Sequence, residues 1–238
     1  MALHEGKPQT LEVRQPIRWE QTSAKSFEDI SRYIELPKDV SGLSFLDIGA
    51  GGSDFTATLL ERGANAFAID PLYKSRSDLK GKMKNFFELS RKRKLNFLPR
   101  QERAFERFYE SIKTNPDHYK AAQAENLPFP DNYFDYVISI TAITQYLDSN
   151  KDTLFAAVKE AIRVTKPHGL IQIFPFQDEY ISAVSPISPY REAYDTLYEV
   201  RQKNQRALLK VLEDNQAVTI NVSPTYEGSK LEILKAAA

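Results

Sequence analysis

The stretch Leu43-Ser-Phe-Leu-Asp-Ile-Gly-Ala-Gly-Gly-Ser-Asp54 decides the fold of this chain. Its apolar beginning, Leu43 to Ile48, predicts a short buried strand. The Gly-Ala-Gly-Gly turn that follows allows a sharp bend and a close approach of a ligand to the backbone. Ser53 and Asp54 predict the cap and first turn of a helix. A strand, a glycine loop and a helix in this order indicate a cofactor site of the nucleotide-binding kind.

Strands and helices alternate along the rest of the chain. Apolar runs predict strands at 66–70, 119–122, 134–140 and 170–174, and helices at about 152–164 and 190–213. Two final strands, 217–222 and 230–234, flank a connection with proline and glycine and predict a hairpin. This order predicts an α/β fold with a doubly wound sheet of seven strands, mostly parallel, with an antiparallel C-terminal strand pair.

Three segments add to this sheet. Residues 1–40 predict a loose extension followed by a helix over 26–36, and residues 41–238 predict the main domain. About 74–118 predict a helical insertion after the second strand; residues 74–120 contain 14 Lys and Arg against 6 Asp and Glu, a net charge of +8. This basic segment is either a solvated surface or a lid that contacts an anionic substrate or RNA. A loop and helix at about 175–213 predict a second lid-like segment.

Composition excludes several kinds of chemistry. The chain has no cysteine, which excludes disulfides, thiolate metal sites and cysteine nucleophiles. Its three histidines are far apart in sequence, so we expect no metal site. The 32 basic and 32 acidic residues cancel, and no apolar run reaches the ~20 residues that span a bilayer. Without a secretory leader, we expect a cytoplasmic protein with no membrane partner.

The charges around the glycine loop indicate which ligand it binds. Asp54 stands where a dinucleotide fold has its third glycine, and its carboxylate would repel a pyrophosphate. Asp47 adds a second negative charge, and no Lys or Arg occurs between Gly42 and Glu61. These features favour a ligand with cationic groups, such as the ammonium and sulfonium of S-adenosylmethionine.

Two aspartates have alternative interpretations. Asp70 ends the second strand and could accept hydrogen bonds from a ribose, in S-adenosylmethionine or in NAD. Its alternative is a helix cap, against which Pro71 argues. Asp47 either lies next to the ligand or is a strand-end residue that loop amides satisfy.

Three motifs resemble class I S-adenosylmethionine-dependent methyltransferases of the small-molecule type. Leu46-Asp-Ile-Gly-Ala-Gly51 looks like motif I of that family, and Ala124-Glu-Asn-Leu-Pro-Phe-Pro-Asp-Asn-Tyr-Phe-Asp-Tyr-Val137 is similar to its segment before strand four. Lys166-Pro-His-Gly169 resembles its Lys-Pro-Gly-Gly turn before strand five. The resemblance covers 43–73 and 121–174, and it implies a Rossmann-like fold and S-adenosylmethionine as the cofactor.

The resemblance also implies a set of cofactor-binding residues. The glycine loop would contact the methionine part of the cofactor, with Asp47 supporting its ammonium, and Asp70 would hold the ribose. The implied set is Asp47, Gly49, Ala50, Gly51, Asp70, Pro71, Leu72, Gln123, Ala124, Ile140 and Thr141. Gln123 departs from the family, which often has an aspartate there.

The predicted reaction is methyl transfer to an O or N atom of a small organic acceptor by in-line displacement. The acceptor should lie over the C-terminal ends of strands four and five, where Gln177, Tyr180 and Tyr146 are the candidate contacts. Two alternatives remain: an RNA methyltransferase that uses residues 74–120, and a non-catalytic partner protein that binds the cofactor. The sequence leaves the acceptor and the oligomeric state open.

Overall fold

We describe the fold from a computed structural model, in which residues 24–92, 98–144, 151–176, 191–225 and 228–237 are described. The elements in chain order are α1 (Phe27–Ile30), β1 (Ser44–Ile48), α2 (Phe55–Glu61), β2 (Asn65–Ile69), α3 (Arg76–Lys92), α4 (Leu98–Thr114), β3 (Tyr119–Lys120), β4 (Phe134–Ile140), α5 (Lys151–Val164), β5 (Thr165–Phe174), α6 (Arg191–Glu213), β6 (Val218–Thr225) and β7 (Gly228–Lys235). Short 3₁₀ helices at Pro71–Lys74 and Pro116–His118 flank α3 and α4. None of the described helices is long and apolar enough to cross a bilayer.

The strands form one seven-stranded sheet in the order β3-β2-β1-β4-β5-β7-β6. The first five strands in that order are parallel. β7 runs antiparallel to both β5 and β6. The fold class predicted from the sequence is therefore confirmed, including its antiparallel C-terminal pair.

Helices cover both faces of the sheet. Side chains on a strand alternate between its two sides, so the apolar strands place buried residues on both faces. Phe45 of β1 packs with α1 and with Phe55 and Leu59 of α2. Its neighbour Leu46 belongs to the opposite apolar cluster, to which α5 and α6 contribute Leu154, Val158, Leu208 and Leu212. By the same alternation, Asp47 shares the face of Phe45 and α2.

The predicted helical insertion after the second strand consists of α3 and α4. Both helices are 17 residues long, and they pack through Met83, Phe87, Phe108 and Ile112 in a third apolar cluster. That cluster also contains Ala50 of the glycine loop, so the insertion lies against the loop.

The predicted N-terminal helix over 26–36 is too long. The α-helix covers Phe27–Ile30 only, and the chain then continues in turns. The backbone of Glu35 forms hydrogen bonds with Gln172 in place of helical ones. The N–H of Glu35 donates to Oε1 of Gln172 (2.7 Å), and Nε2 of Gln172 donates to the carbonyl of Glu35 (2.9 Å). Gln172 is fully buried on β5, so its amide requires these partners.

The predicted start of the fifth strand is wrong by five residues. β5 begins at Thr165, which pairs with Phe134, and the Lys-Pro-His-Gly turn is an irregularity inside the strand. His168 has a φ of +62°, and a Cβ on Gly169 would lie 2.9 Å from the carbonyl oxygen of Lys166. A larger residue at 169 does not fit this bend.

Asp135 joins the beginning of β4 to its neighbouring strands. Its carboxylate accepts from the backbone N–H (2.8 Å) and hydroxyl (2.6 Å) of Ser44 and from Nζ of Lys166 (2.9 Å). Burial raises the pKa of this carboxyl, but these hydrogen bonds outweigh burial and lower it below its usual value. Asp135 is thus a structural residue at the amino end of the parallel strands, opposite to the end that carries the glycine loop.

Candidate functional site

The glycine loop follows β1 at the carboxyl end of the parallel strands. Gly49 and Gly51 have φ values of +73° and +57°, which side chains other than glycine rarely adopt. The N–H of Gly49 donates to the carbonyl of Ile69 (2.8 Å), which ties the loop to the end of β2. A Cβ on Gly49 would overlap the Cβ of Ala142. The loop therefore lies pressed between the ends of β2 and β4.

Asp47 is a buried carboxylate with an unsatisfied oxygen. Asp47 lies on the interior strand β1, where it pairs with Ala68 of β2 and Ile138 of β4, and it is 3% exposed. Within the described residues, its Oδ2 has no hydrogen-bond partner. Burial, and then the charge of Asp70, raise the pKa of Asp47 to about 7, while Lys25 acts in the opposite direction. Burying a carboxyl oxygen without a hydrogen-bond donor costs free energy of folding, unless a ligand supplies the donor.

Asp70 caps the 3₁₀ helix that follows β2. Its Oδ1 accepts from the N–H of Leu72 (2.9 Å), and its Oδ2 accepts from the N–H of Gly51 (3.0 Å). The sequence argument that Pro71 prevents capping is wrong, because the donor is the residue after the proline. A carboxylate has about four acceptor positions, so Asp70 can still accept from a ligand. Burial raises the pKa of Asp70, and the two backbone hydrogen bonds oppose that effect.

The remaining predicted cofactor residues are distributed over the same end of the sheet. Ala124 and Ile140 are buried, Leu72 and Thr141 are half-buried, and Pro71 and Gln123 are exposed. Thr141 follows β4 with a φ of +66°, and Gln123 forms an isolated backbone bridge with Asn126. The three candidate acceptor contacts lie outside the described residues: Tyr146, Gln177 and Tyr180.

Three residues at the loop were missed in the sequence. Nζ of Lys25 donates to Oγ1 of Thr141 (3.3 Å), and the hydroxyl of Tyr73 donates to the carbonyl of Gly51 (2.8 Å). Nη1 of Arg107, on α4, donates to Oδ2 of Asp54 (3.0 Å). Each contact joins residues at least 22 positions apart, so no local sequence motif predicts it.

Asp54 connects the loop with two distant segments. Its side chain is 5% exposed and makes no hydrogen bond to its own helix; Ser53 Oγ accepts from the N–H of Phe55 instead (3.1 Å). Asp54 Oδ1 accepts from the N–H of Phe27 (2.6 Å), while Arg107 pairs with Oδ2. The charge at the start of α2 is thus compensated by an arginine of the insertion.

α4 also covers the loop directly. A Cβ on Gly52 would lie 2.6 Å from the ring of Phe105, so the aromatic ring occupies the space above this glycine. Phe105 of the insertion therefore forms one wall of the loop, and Tyr73, which precedes the insertion, adds a hydrogen bond to the carbonyl of Gly51.

A family model matches the part of the chain that forms this site. The model described as a methyltransferase domain matches residues 46–173, which is more than half of the chain and includes the glycine loop, Asp70 and the end of β4. The chain belongs to this methyltransferase family. The prediction of a class I S-adenosylmethionine-dependent methyltransferase is confirmed at the level of family and fold, and S-adenosylmethionine is the family's cofactor.

Curated relatives match part of the methyltransferase chain. They include proteins named ubiquinone/menaquinone biosynthesis C-methyltransferase UbiE from Vibrio cholerae (34% identity over 79 residues, 33% of this chain) and Chromobacterium violaceum (40% over 73 residues, 31% of this chain). Both matches cover 26% of the relative. The protein of that name from Neisseria meningitidis is 34% identical over 118 residues, which is 48% of this chain and 43% of the relative. The chain thus spans between a quarter and a half of these relatives.

Solved structures share the fold at low sequence identity. A structure described as S-adenosylmethionine-dependent methyltransferases from Methanosarcina mazei has a TM-score of 0.52 and 16% identity, covering 86% of this chain and 100% of that one. A protein from Pyrococcus horikoshii has a TM-score of 0.50 and 18% identity, covering 83% of both chains. These similarities support the methyltransferase fold of this chain.

Proposed function

We propose that this methyltransferase transfers a methyl group from S-adenosylmethionine to a small organic acceptor. The observation that carries the proposal is the buried Oδ2 of Asp47, which has no partner among the described residues and lies beneath a glycine loop that the family model matches. An oxygen in that position requires a donor from the ligand, and a cationic donor satisfies both its hydrogen bond and its charge.

The residues of the site fit this cofactor better than a phosphate-bearing one. Asp47 and Asp70 are both buried near the loop, and a pyrophosphate there would meet these two carboxylates, while Asp54 is already paired with Arg107. Gly49 and Gly51 carry no side chain that would block a close approach of the methionine part to the loop backbone. Asp70 keeps acceptor positions for ribose hydroxyls, and Pro71, Leu72, Gln123 and Ala124 are the proposed surroundings of the adenine.

The cofactor supplies a methyl group on a positively charged sulfur, which is already a good leaving group. The protein therefore has to align the acceptor with that methyl and to exclude water. Ile140 and Thr141, at the end of β4, would line the methionine side. A general base is required only if the acceptor loses a proton early. His118 does not serve here, because its Nδ1 contacts the carbonyl of Ala66 (2.8 Å) and its ring stacks on Phe67.

Two kinds of acceptor atom remain. The sequence analysis predicts oxygen or nitrogen, and the alternative is carbon. The name of the curated relatives favours carbon, since they are called C-methyltransferases. Their matches cover less than half of each relative, so we keep O- or N-methylation as the first candidate and C-methylation of a quinol-type ring as the second.

The experiment uses S-adenosylmethionine with a radiolabelled methyl group and a panel of small phenols, catechols, amines and quinols. Transfer of label to a small molecule supports the proposal, and mass spectrometry of the product distinguishes O-, N- and C-methylation. Asp47→Asn should reduce transfer, while the exposed Asp214→Asn should not. Cofactor binding without transfer to the panel or to any component of a cell extract would contradict catalysis and favour the non-catalytic partner protein.

RNA methylation remains an alternative proposal. Carboxylates of the chain pair with several basic side chains of the insertion, including Arg91 with Glu102 and Lys113 with Glu110, which reduces the charge available to phosphates. RNA binding that weakens steeply as salt rises would support this alternative, because phosphate contacts release counterions. Binding that is weak and independent of salt would exclude it.

A further inference from the structure

A segment of the N-terminal region is fastened across the glycine loop. Ala24 is fully buried in the cluster that contains Ala50 and Tyr73. Three residues later, the N–H of Phe27 donates to the buried carboxylate of Asp54 (2.6 Å). Lys25 lies between these two attachments, so its backbone position is determined on both sides.

The side chain of Lys25 extends to the carboxyl end of β4. Its Nζ lies 3.3 Å from Oγ1 of Thr141, in a part of the structure that is partly buried. Thr141 directly follows Ile140, and both are implied neighbours of the methionine part of the cofactor. The positive charge of Lys25 also counteracts the rise in the pKa of Asp47, which places the ammonium within electrostatic reach of that carboxyl.

The amino-acid end of S-adenosylmethionine is a zwitterion with one ammonium and one carboxylate. Asp47 offers a negative oxygen for the ammonium, but the sequence from Gly42 to Glu61 contains no cation for the carboxylate. The fold brings a cation to this end of the sheet from a residue 22 positions before Asp47. Paired charges of opposite sign match the two ends of a zwitterion.

We propose that Nζ of Lys25 binds the α-carboxylate of the methionine part of the cofactor, opposite Asp47. This proposal rests on the proposed function. Lys25 then determines specificity: it favours S-adenosylmethionine and S-adenosylhomocysteine, which carry the carboxylate, over decarboxylated S-adenosylmethionine, which lacks it and carries excess positive charge.

Isothermal titration calorimetry with the whole chain tests this assignment. The ligands are S-adenosylmethionine and its decarboxylated form, and the variants are Lys25→Met, Lys25→Arg and, as the control, Lys38→Met at an exposed lysine of the same region. A hydrogen bond to a charged group contributes roughly 1.5–3 kcal/mol, so Lys25→Met should weaken binding of S-adenosylmethionine by roughly 10- to 100-fold. Its affinity for the decarboxylated ligand should stay the same or increase, because a like charge is removed.

Lys25→Arg should keep most of the preference for the carboxylate, and Lys38→Met should match the wild type. Equal weakening of both ligands in Lys25→Met would overturn the proposal in favour of a general structural role, and so would unchanged binding of both. Binding of the decarboxylated ligand also shows that the variant is folded. A wild-type chain that binds neither ligand would instead contradict the proposed function, so the two failures are distinguishable.

Discussion

Asp47 is the residue at which stability and function oppose each other. Its carboxyl is buried on the interior strand β1, and one oxygen has no partner within the described residues. Burial raises its pKa from 3.8 to about 7. Between these values the folded chain binds more protons than the unfolded chain, so the free energy of unfolding falls as the pH rises from about 4 to about 7.

The first prediction concerns this pH dependence. Between pH 5 and pH 8, the cofactor-free wild type should lose more stability than Asp47→Asn, by on the order of 2 kcal/mol, because asparagine does not titrate. Urea unfolding at both pH values measures the difference. Asp214→Asn, at an exposed carboxylate, should follow the wild type. If Asp47→Asn retains the full pH dependence, the proposed burial of an ionisable Asp47 is wrong.

Gly49 supplies the second prediction. Gly49 and Gly42 both have a φ of +73°, but an added Cβ would overlap Ala142 at Gly49 and would meet nothing within 4 Å at Gly42. Gly42→Ala should therefore cost about 1–2 kcal/mol from backbone strain alone. Gly49→Ala should cost clearly more and abolish binding of S-adenosylhomocysteine. Equal losses of stability, with cofactor binding intact in both variants, would show that the loop is not tightly packed against β4.

At the scale of elements, the insertion is tied to the glycine loop by Arg107 of α4. Arg107 pairs with Asp54, whose side chain is 5% exposed, and with Glu61 on the surface. The side chain of Arg107 is itself 45% exposed, so water weakens the pairing. Removing the arginine leaves a buried carboxylate that has lost its positively charged partner and keeps the N–H of Phe27 as a donor.

The third prediction is that Arg107→Met lowers the free energy of unfolding by about 1–2 kcal/mol and weakens binding of S-adenosylhomocysteine. Arg103→Met is the matched control, because Arg103 lies one turn earlier on α4 and is exposed. Unfolding and calorimetric titration give the two quantities. Identical behaviour of the two variants would mean that the insertion does not support the loop.

Element boundaries show where local patterns suffice. β1, β4 and α5 were predicted within two residues of their observed limits, because apolar periodicity reflects burial against the sheet. The predicted N-terminal helix is longer than the observed one, because the backbone of Glu35 forms a hydrogen bond with Gln172, more than 130 residues away. A sequence pattern does not contain such a long-range hydrogen bond.

At the scale of the whole molecule, the alternation of strands and helices predicts a mostly parallel sheet of seven strands with an antiparallel C-terminal pair, and the observed sheet confirms it. The loop, Asp47 and Asp70 were predicted because they lie within one strand–loop–helix unit and the strand after it. Lys25, Tyr73 and Arg107 were not, because only the folded chain brings them to the loop. The prediction of a separate N-terminal region up to residue 40 stays a prediction.

The site formed by Asp47 and the glycine loop is proposed to bind the cationic methionine part of S-adenosylmethionine rather than a pyrophosphate. Calorimetric titration of the wild type with S-adenosylmethionine and, separately, with NADH at pH 8 tests it most directly. We predict saturable binding of S-adenosylmethionine, at least roughly ten-fold weaker binding in Asp47→Asn, and no comparable binding of NADH. Tighter binding of NADH than of S-adenosylmethionine by the wild type would contradict the account.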